Sequence, residues 1–76
     1  MFGWFKKNKE EETFQKVFNK IGKYFNNEEY DKALDEIKNA LKIYPERYEL
    51  WTGKGEIELA LGNYNQAIET TLKLLN

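Results

Sequence analysis

The stretch TGKGE at residues 52–56 sets two glycines around a lysine. A phosphate-binding loop also combines glycine with lysine, because unhindered backbone N–H groups can cradle an anion that the ammonium neutralises. That loop needs Gly-x-x-x-x-Gly-Lys-Ser/Thr, and this spacing is absent. The adjacent carboxylates Asp35 and Glu36 point in different directions on a helix and sit among solvated charges. An acid–base pair needs burial or a close charged neighbour to move a pKa into the working range. Histidine and cysteine are missing from the sequence. With them go the commonest general base, the commonest metal ligands and the thiol nucleophile. The chain is therefore expected to be no enzyme and to use no cofactor or metal.

Composition narrows the partners. The sequence is 41% hydrophobic, 16% aromatic and 33% charged, which suits a packed domain rather than a disordered chain. Its 76 residues allow one domain at most. A formal net charge of −1 conceals two unlike parts: residues 1–26 hold six Lys against three Glu, and residues 27–76 hold six basic against ten acidic residues. Nonspecific binding to nucleic acid needs many phosphate contacts, and binding to single-stranded RNA needs lysines and aromatics on one surface. Here the lysines gather on one helix and most aromatics fall on core positions, so no nucleic-acid partner is expected. No apolar run reaches the roughly 18 residues of a membrane span, and MFGWFKK is too short for a signal-peptide core. A cytoplasmic location is the expectation.

The apolar residues fall at helical spacing throughout. Phe14, Val17, Phe18, Ile21 and Phe25 predict a first helix from about Lys9 to Phe25, capped by Asn8 with Glu11 three residues on. Glu10, Glu11 and Glu12 would then lie in its first turn, where the helix dipole favours them. Asn27 is read as the cap of a second helix marked by Tyr30, Ala33, Leu34, Ile37, Ala40, Leu41 and Ile43, with Glu28 and Lys32 as an i,i+4 pair. Tyr44 precedes Pro45 and so leaves helical geometry, and Pro45 is placed in the first turn of a third helix with Leu50, Trp51, Ile57, Leu59 and Leu61. Gly62 can end that helix in a left-handed conformation, and Asn63 can cap a fourth carrying Tyr64, Ala67, Ile68, Leu72, Leu74 and Leu75. Short connections imply antiparallel neighbours.

The same phrase then occurs twice. NEEYDKALDEIKNALKIYP at 27–45 matches LGNYNQAIETTLKLL at 61–75, with Tyr30 recurring as Tyr64, Ala33 as Ala67, Leu34 as Ile68 and Leu41 as Leu75, each 34 residues apart. Phe18-x-x-Ile21-Gly22-x-x-Phe25, Ala33-x-x-x-Ile37 and Pro45 form one copy of a motif, and Trp51-x-x-Lys54-Gly55 with Ala67-x-x-x-Thr71 a second. The pattern resembles the tetratricopeptide repeat, a helix–turn–helix unit. A generic four-helix bundle is the alternative. The resemblance implies an all-α chain of two antiparallel helix-turn-helix repeats stacked as a short right-handed α-solenoid. An N-terminal segment, 1–8, precedes a repeat domain at 9–76, with repeat 1 at about 9–45 and repeat 2 at about 46–76. Gly22 to Gly55 is only 33 residues, which points to one residue lost from the internal turn of repeat 1. Lys54 stands where Leu is usual, and Glu58 and Thr71 where aromatics are usual. Gly22 and Gly55 are read as room for a neighbouring helix, and Gly53, which the motif does not explain, as a notch for a side chain.

Repeat arrays bury each unit against the next. The last helix ends TTLKLLN, with Ile68, Leu72 and Leu75 near one face, Thr71 and Leu74 inward, and no following helix in this sequence. That face is expected to be a self-interface, giving a homodimer. Phe2, Trp4 and Phe5 are candidates to cover it. Cover is the preferred reading; beside Lys6, Lys7 and Lys9 the aromatics also resemble a weak membrane-surface anchor, or the segment is a loose terminus, and Gly3 argues against a regular helix there. The resemblance further implies an adaptor whose first helices line a concave peptide groove. By register these residues are Lys16, Asn19, Lys20 and Lys23 from repeat 1, and Glu49, Thr52, Gly53 and Glu56 from repeat 2. Three uses of that basic wall remain open: half of a clamp for a C-terminal carboxylate, ion pairs with Glu49 or Glu56 in the same molecule, or groove-to-groove docking of two copies.

Overall fold

A computed structural model describes the backbone of residues 3–75 and the side chains of residues 9–75. Four helices are present among the described residues, and no strand: α1 (Gly3–Asn26), α2 (Tyr30–Ile43), α3 (Tyr48–Leu61) and α4 (Tyr64–Leu75). Each helix packs on its sequence neighbour, α1 on α2, α2 on α3 and α3 on α4. This is the arrangement of a helical-repeat solenoid, in which each unit contacts the next. The core is a single cluster of Phe14, Ile21, Ala33, Ile37, Ala40, Leu50 and Ile57. Ala33 and Ala40 are buried in this core, where their small side chains leave room for a neighbouring helix.

The helix ends differ from expectation in several places. α1 begins at Gly3, so a regular helix does pass through this segment, Asn8 lies within it, and Glu10–Glu12 are not in its first turn. The N-cap of α2 is Glu29, not Asn27, with no side-chain cap bond, because Asn27 and Glu28 are used in a turn. Lys32 accordingly pairs with Glu29 at 3.2 Å rather than with Glu28. Tyr44 leaves the helix as its following proline requires, but Pro45 belongs to the turn and α3 starts only at Tyr48. Gly62 ends α3 with φ 81°, as expected.

The two internal turns are alike. Glu28 has φ 62° and its counterpart 34 residues on is Gly62 at φ 81°. The N–H of Glu29 donates to the carbonyl of Tyr24 at 2.8 Å, and the N–H of Asn63 to that of Glu58 at 2.8 Å. The period is therefore 34 through the turn, and no residue has been lost from repeat 1. Extending that period along the first helices places Ile21, not Gly22, at the position of Gly55, and Gly22 at the position of Glu56. Burial agrees: Ile21 is in the core.

Gly22 and Gly55 do not make the close helix approach expected of them. A Cβ on Gly22 would meet no described atom within 4 Å, and one on Gly55 would touch Thr70 only at an ordinary 3.6 Å. At Gly53 a Cβ would lie 3.0 Å from Cδ1 of Ile37. The notch expected at Gly53 exists, and Ile37 fills it.

The turn between the repeats is tied down by Arg47, the only arginine of the sequence. Its guanidinium lies 3.9 Å from the ring centre of Phe14 and donates to Glu11 at 2.6 and 3.3 Å. A planar fork suits both a ring face and a carboxylate. Tyr44 packs edge-on to Phe14, with ring centres 5.3 Å apart, and Trp51 Nε1 donates to the carbonyl of Pro45 at 2.9 Å. The hydrogen bond from Arg47 holds the Glu11 carboxyl below its usual range.

Two outcomes are expected. Gly22→Ala should raise stability by about 1 kcal/mol in urea unfolding, the helix-propensity difference alone. Gly53→Ala should gain less or lose, because Ile37 must shift; equal gains would show that Ile37 yields freely. The lowered Glu11 value contributes stability that is complete above its ordinary carboxylate pKa of 4.5 and is lost as pH falls through the folded value. Glu11→Gln should therefore flatten the pH dependence of unfolding below that pH and leave its form near pH 7 unchanged.

Candidate functional site

Two surfaces merit description, a cleft between the first helices of the repeats and the outer face of the last helix pair. The cleft is lined on α1 by Phe18, Ile21, Gly22, Phe25 and Asn26, and on α3 by Gly53, Glu56 and Ile57, with a volume of ≈120 Å³. It continues along Phe18 and Gly53 past Tyr48, Glu49 and Thr52. All four groove residues expected of repeat 2, Glu49, Thr52, Gly53 and Glu56, thus meet on one wall.

The expected residues of repeat 1 do not form the opposite wall. With the period at 34, the positions matching Glu49, Thr52, Gly53 and Glu56 are Gln15, Phe18, Asn19 and Gly22. Lys16 and Asn19 border a separate shallow depression along α1 with Glu11, Glu12 and Gln15. Lys20 turns towards α2 and pairs with Glu36 at 3.2 Å, not with Glu49 or Glu56. Lys23 is exposed. The cleft is thus apolar with an acidic wall, and among the described residues no cationic side chain lines it. Glu49 reaches Arg47 at 3.6 Å through one oxygen, and its other oxygen is buried without a hydrogen bond.

The outer face consists of Leu59 from α3 and Ala67, Ile68, Thr71 and Leu72 from α4. Ile68 is 58% exposed, Leu72 53% and Leu75 78%. Thr71 lies in this open face with Ile68 and Leu72 rather than inward, while Ala67 and Thr70 are the buried residues of α4. Phe2 and the side chains of Trp4 and Phe5 lie outside the described residues.

Between α3 and α4 is a buried ionic cluster that motif reading missed. Glu58 is 2% exposed and accepts from Lys54 Nζ at 2.5 Å and from Thr70 Oγ1 at 2.7 Å. Lys54 also donates to Thr70 at 3.1 Å. Lys54 and Glu58 are two of the three departures from the motif, one helical turn apart, and their joint occurrence was the available signal. Repeat 1 has the same cross-helix contact, since Lys20 and Glu36 stand 34 residues before Lys54 and Thr70. The carboxylate and the ammonium neutralise each other within a packed interface, which makes the cluster a structural tie rather than a catalytic one. Among the described residues no group of acidic side chains could hold a metal, and no helix is long and apolar enough to cross a membrane. Lys54→Leu should cost about 3–5 kcal/mol in urea unfolding, because it leaves a buried carboxylate unpaired, and adding Glu58→Leu should recover most of that loss. A single variant as stable as the parent would mean that water reaches the carboxylate.

The chain matches the family model described as tetratricopeptide repeat over residues 24–76, well over half its length. No curated protein and no solved structure matches it. Repeats of this family generally mediate protein–protein interaction and are typically non-enzymatic. The match takes in the whole of α2, α3 and α4, and it sits with the 34-residue period and the successive helix packing; the chain belongs to the tetratricopeptide repeat family.

Proposed function

We propose that this chain is a protein–protein interaction module that self-associates through the α3–α4 outer face. One observation carries the reading. In repeat 1 the corresponding face is covered by α3: Ile37 is fully buried, and Phe25, Leu34 and Leu41 pack partly buried against the core. Their counterparts 34 residues on are Thr71, Leu59, Ile68 and Leu75, and all four are exposed. Among the described residues nothing covers them. Apolar side chains in such a group usually meet a partner.

A second copy supplies a matching surface by two-fold symmetry. Ile68, Leu72 and Leu75 follow steps of four and three, so two α4 helices can lie against each other with these side chains interleaved. Full burial of each such side chain is worth about 1.5–3 kcal/mol.

Sedimentation equilibrium over a hundredfold concentration range should show reversible dimers, and Leu72→Glu should shift the mass to that of a monomer. A monomer at every concentration for the parent chain would end the self-association reading.

A further inference from the structure

The face of α1 turned away from the core is basic. Phe14 and Ile21 are buried, and Lys16 and Lys23 each follow one of them by two residues, about 200° round the helix. Lys9, Lys16 and Lys23 are all exposed and stand seven residues apart, so they form one row about 21 Å long. Among the described residues none of the three forms an ion pair. Glu12 lies between Lys9 and Lys16 and leaves the row an excess of positive charge, while Glu11 is held by Arg47. Thirty-four residues on from Lys16 and Lys23 are Leu50 and Ile57, both in the core. The face that α3 buries is thus turned outward on α1, with ammonium groups in place of apolar side chains.

α1 also runs past the repeat. Phe14 matches Tyr48, the first residue of α3, so the helix from Gly3 to Thr13 has no counterpart in α3. It extends the first helix by about 16 Å, and residues 9–13 are all exposed. A helical stretch of this length is marginal in water unless something packs on it. In sequence it carries Trp4 and Phe5, just after Phe2, and then Lys6, Lys7 and Lys9. Phe5 stands four residues before Lys9, in register with the lysine row. Aromatic residues beside lysines suit the boundary of a lipid bilayer, where rings sit at headgroup depth and ammonium groups meet lipid phosphates. Residues 27–76 hold six basic against ten acidic residues, so an anionic surface attracts α1 and repels the rest of the chain.

We propose that α1 docks this chain on an anionic membrane surface. The helix lies along the surface with Lys9, Lys16 and Lys23 towards the lipid phosphates, and its N-terminal aromatic residues enter the headgroup layer. A flat surface touches this face alone, whereas a flexible nucleic-acid strand would also meet the acidic remainder of the chain. The α1 face is not part of the α3–α4 surface, so docking is independent of self-association.

The test is flotation with two kinds of vesicle, phosphatidylcholine alone and phosphatidylcholine with about 30% phosphatidylglycerol. It is run on the full chain and on Leu72→Glu, which separates docking from the avidity of a dimer. Both should float with the anionic vesicles only, and binding should vanish at about 0.5 M salt, where surface charges are screened. Lys16→Gln with Lys23→Gln should weaken binding by about tenfold or more, since one lysine near such a surface is worth about fivefold. Trp4→Ser with Phe5→Ser should weaken it by about tenfold, through lost apolar insertion. Lys38→Gln, at an exposed position of α2, should change nothing. Circular dichroism confirms that each variant is folded. The proposal is overturned if neutral vesicles bind equally well, if the Lys16 and Lys23 variant binds as the parent does, or if no vesicle binds. It is also overturned if a single-stranded oligonucleotide binds more tightly than the anionic vesicles, or if the Trp4 and Phe5 variant loses the mass of a dimer in sedimentation, which would place those residues in the self-contact.

Discussion

Ile37 reaches across from α2 into the space that Gly53 leaves on α3, and the spacing of the two repeats depends on that contact. α2 is covered on one side by α1 and on the other by α3, and Ile37 is fully buried between them. Any larger residue at position 53 meets Cδ1 of Ile37 at once. Because α1 and α3 both pack on α2, the closeness of α3 to α2 also bears on the width of the α1–α3 cleft. Phe14 anchors the other end of the contact, held by Phe18, Tyr44 and the guanidinium of Arg47. A two-repeat chain has few such contacts, and each interface has to be specified by a handful of residues.

Helix number, order and the 34-residue period could be read from the sequence because they rest on long-range spacing of apolar residues, which single substitutions do not erase. Helix starts were less legible. Asn8 and Asn27 are good capping residues, yet α1 runs on to Gly3 and α2 is entered through a turn that uses Asn27 and Glu28. Packing, rather than a capping side chain, sets those ends. Aligning Gly22 with Gly55 by residue type shifts the register of α1 by one residue, because the 34-residue period sets Ile21 opposite Gly55. Glycine identity is a weak guide where the backbone conformation does not demand glycine. One consequence was an expected basic wall; Lys20 in fact lies towards α2, where Glu36 is its partner.

The second repeat departs from the motif most in α3, and the structure shows how the departures cohere. Lys54 and Glu58 replace two apolar positions, and either charge alone would be costly in that interface. Together with Thr70 they satisfy each other. A motif scores positions one at a time and so counts two losses, whereas the interface contains one neutral group. Arg47 was likewise invisible to motif reading, since its partners Glu11 and Phe14 are more than thirty residues away in sequence.

Packing by sequence neighbours has a further consequence for motion. The middle helices α2 and α3 are each held on two sides, whereas the end helices have one main interface. α1 is additionally clasped by Arg47 through Glu11. α4 buries Ala67 and Thr70, and its other side chains face solvent. Opening of α4 nonetheless breaks the most extensive of the three helix–helix interfaces. Opening also parts Thr70 from Glu58 and admits water to the ionic cluster. Each end helix thus carries its own restraint against opening, Arg47 on the first and the ionic cluster on the last.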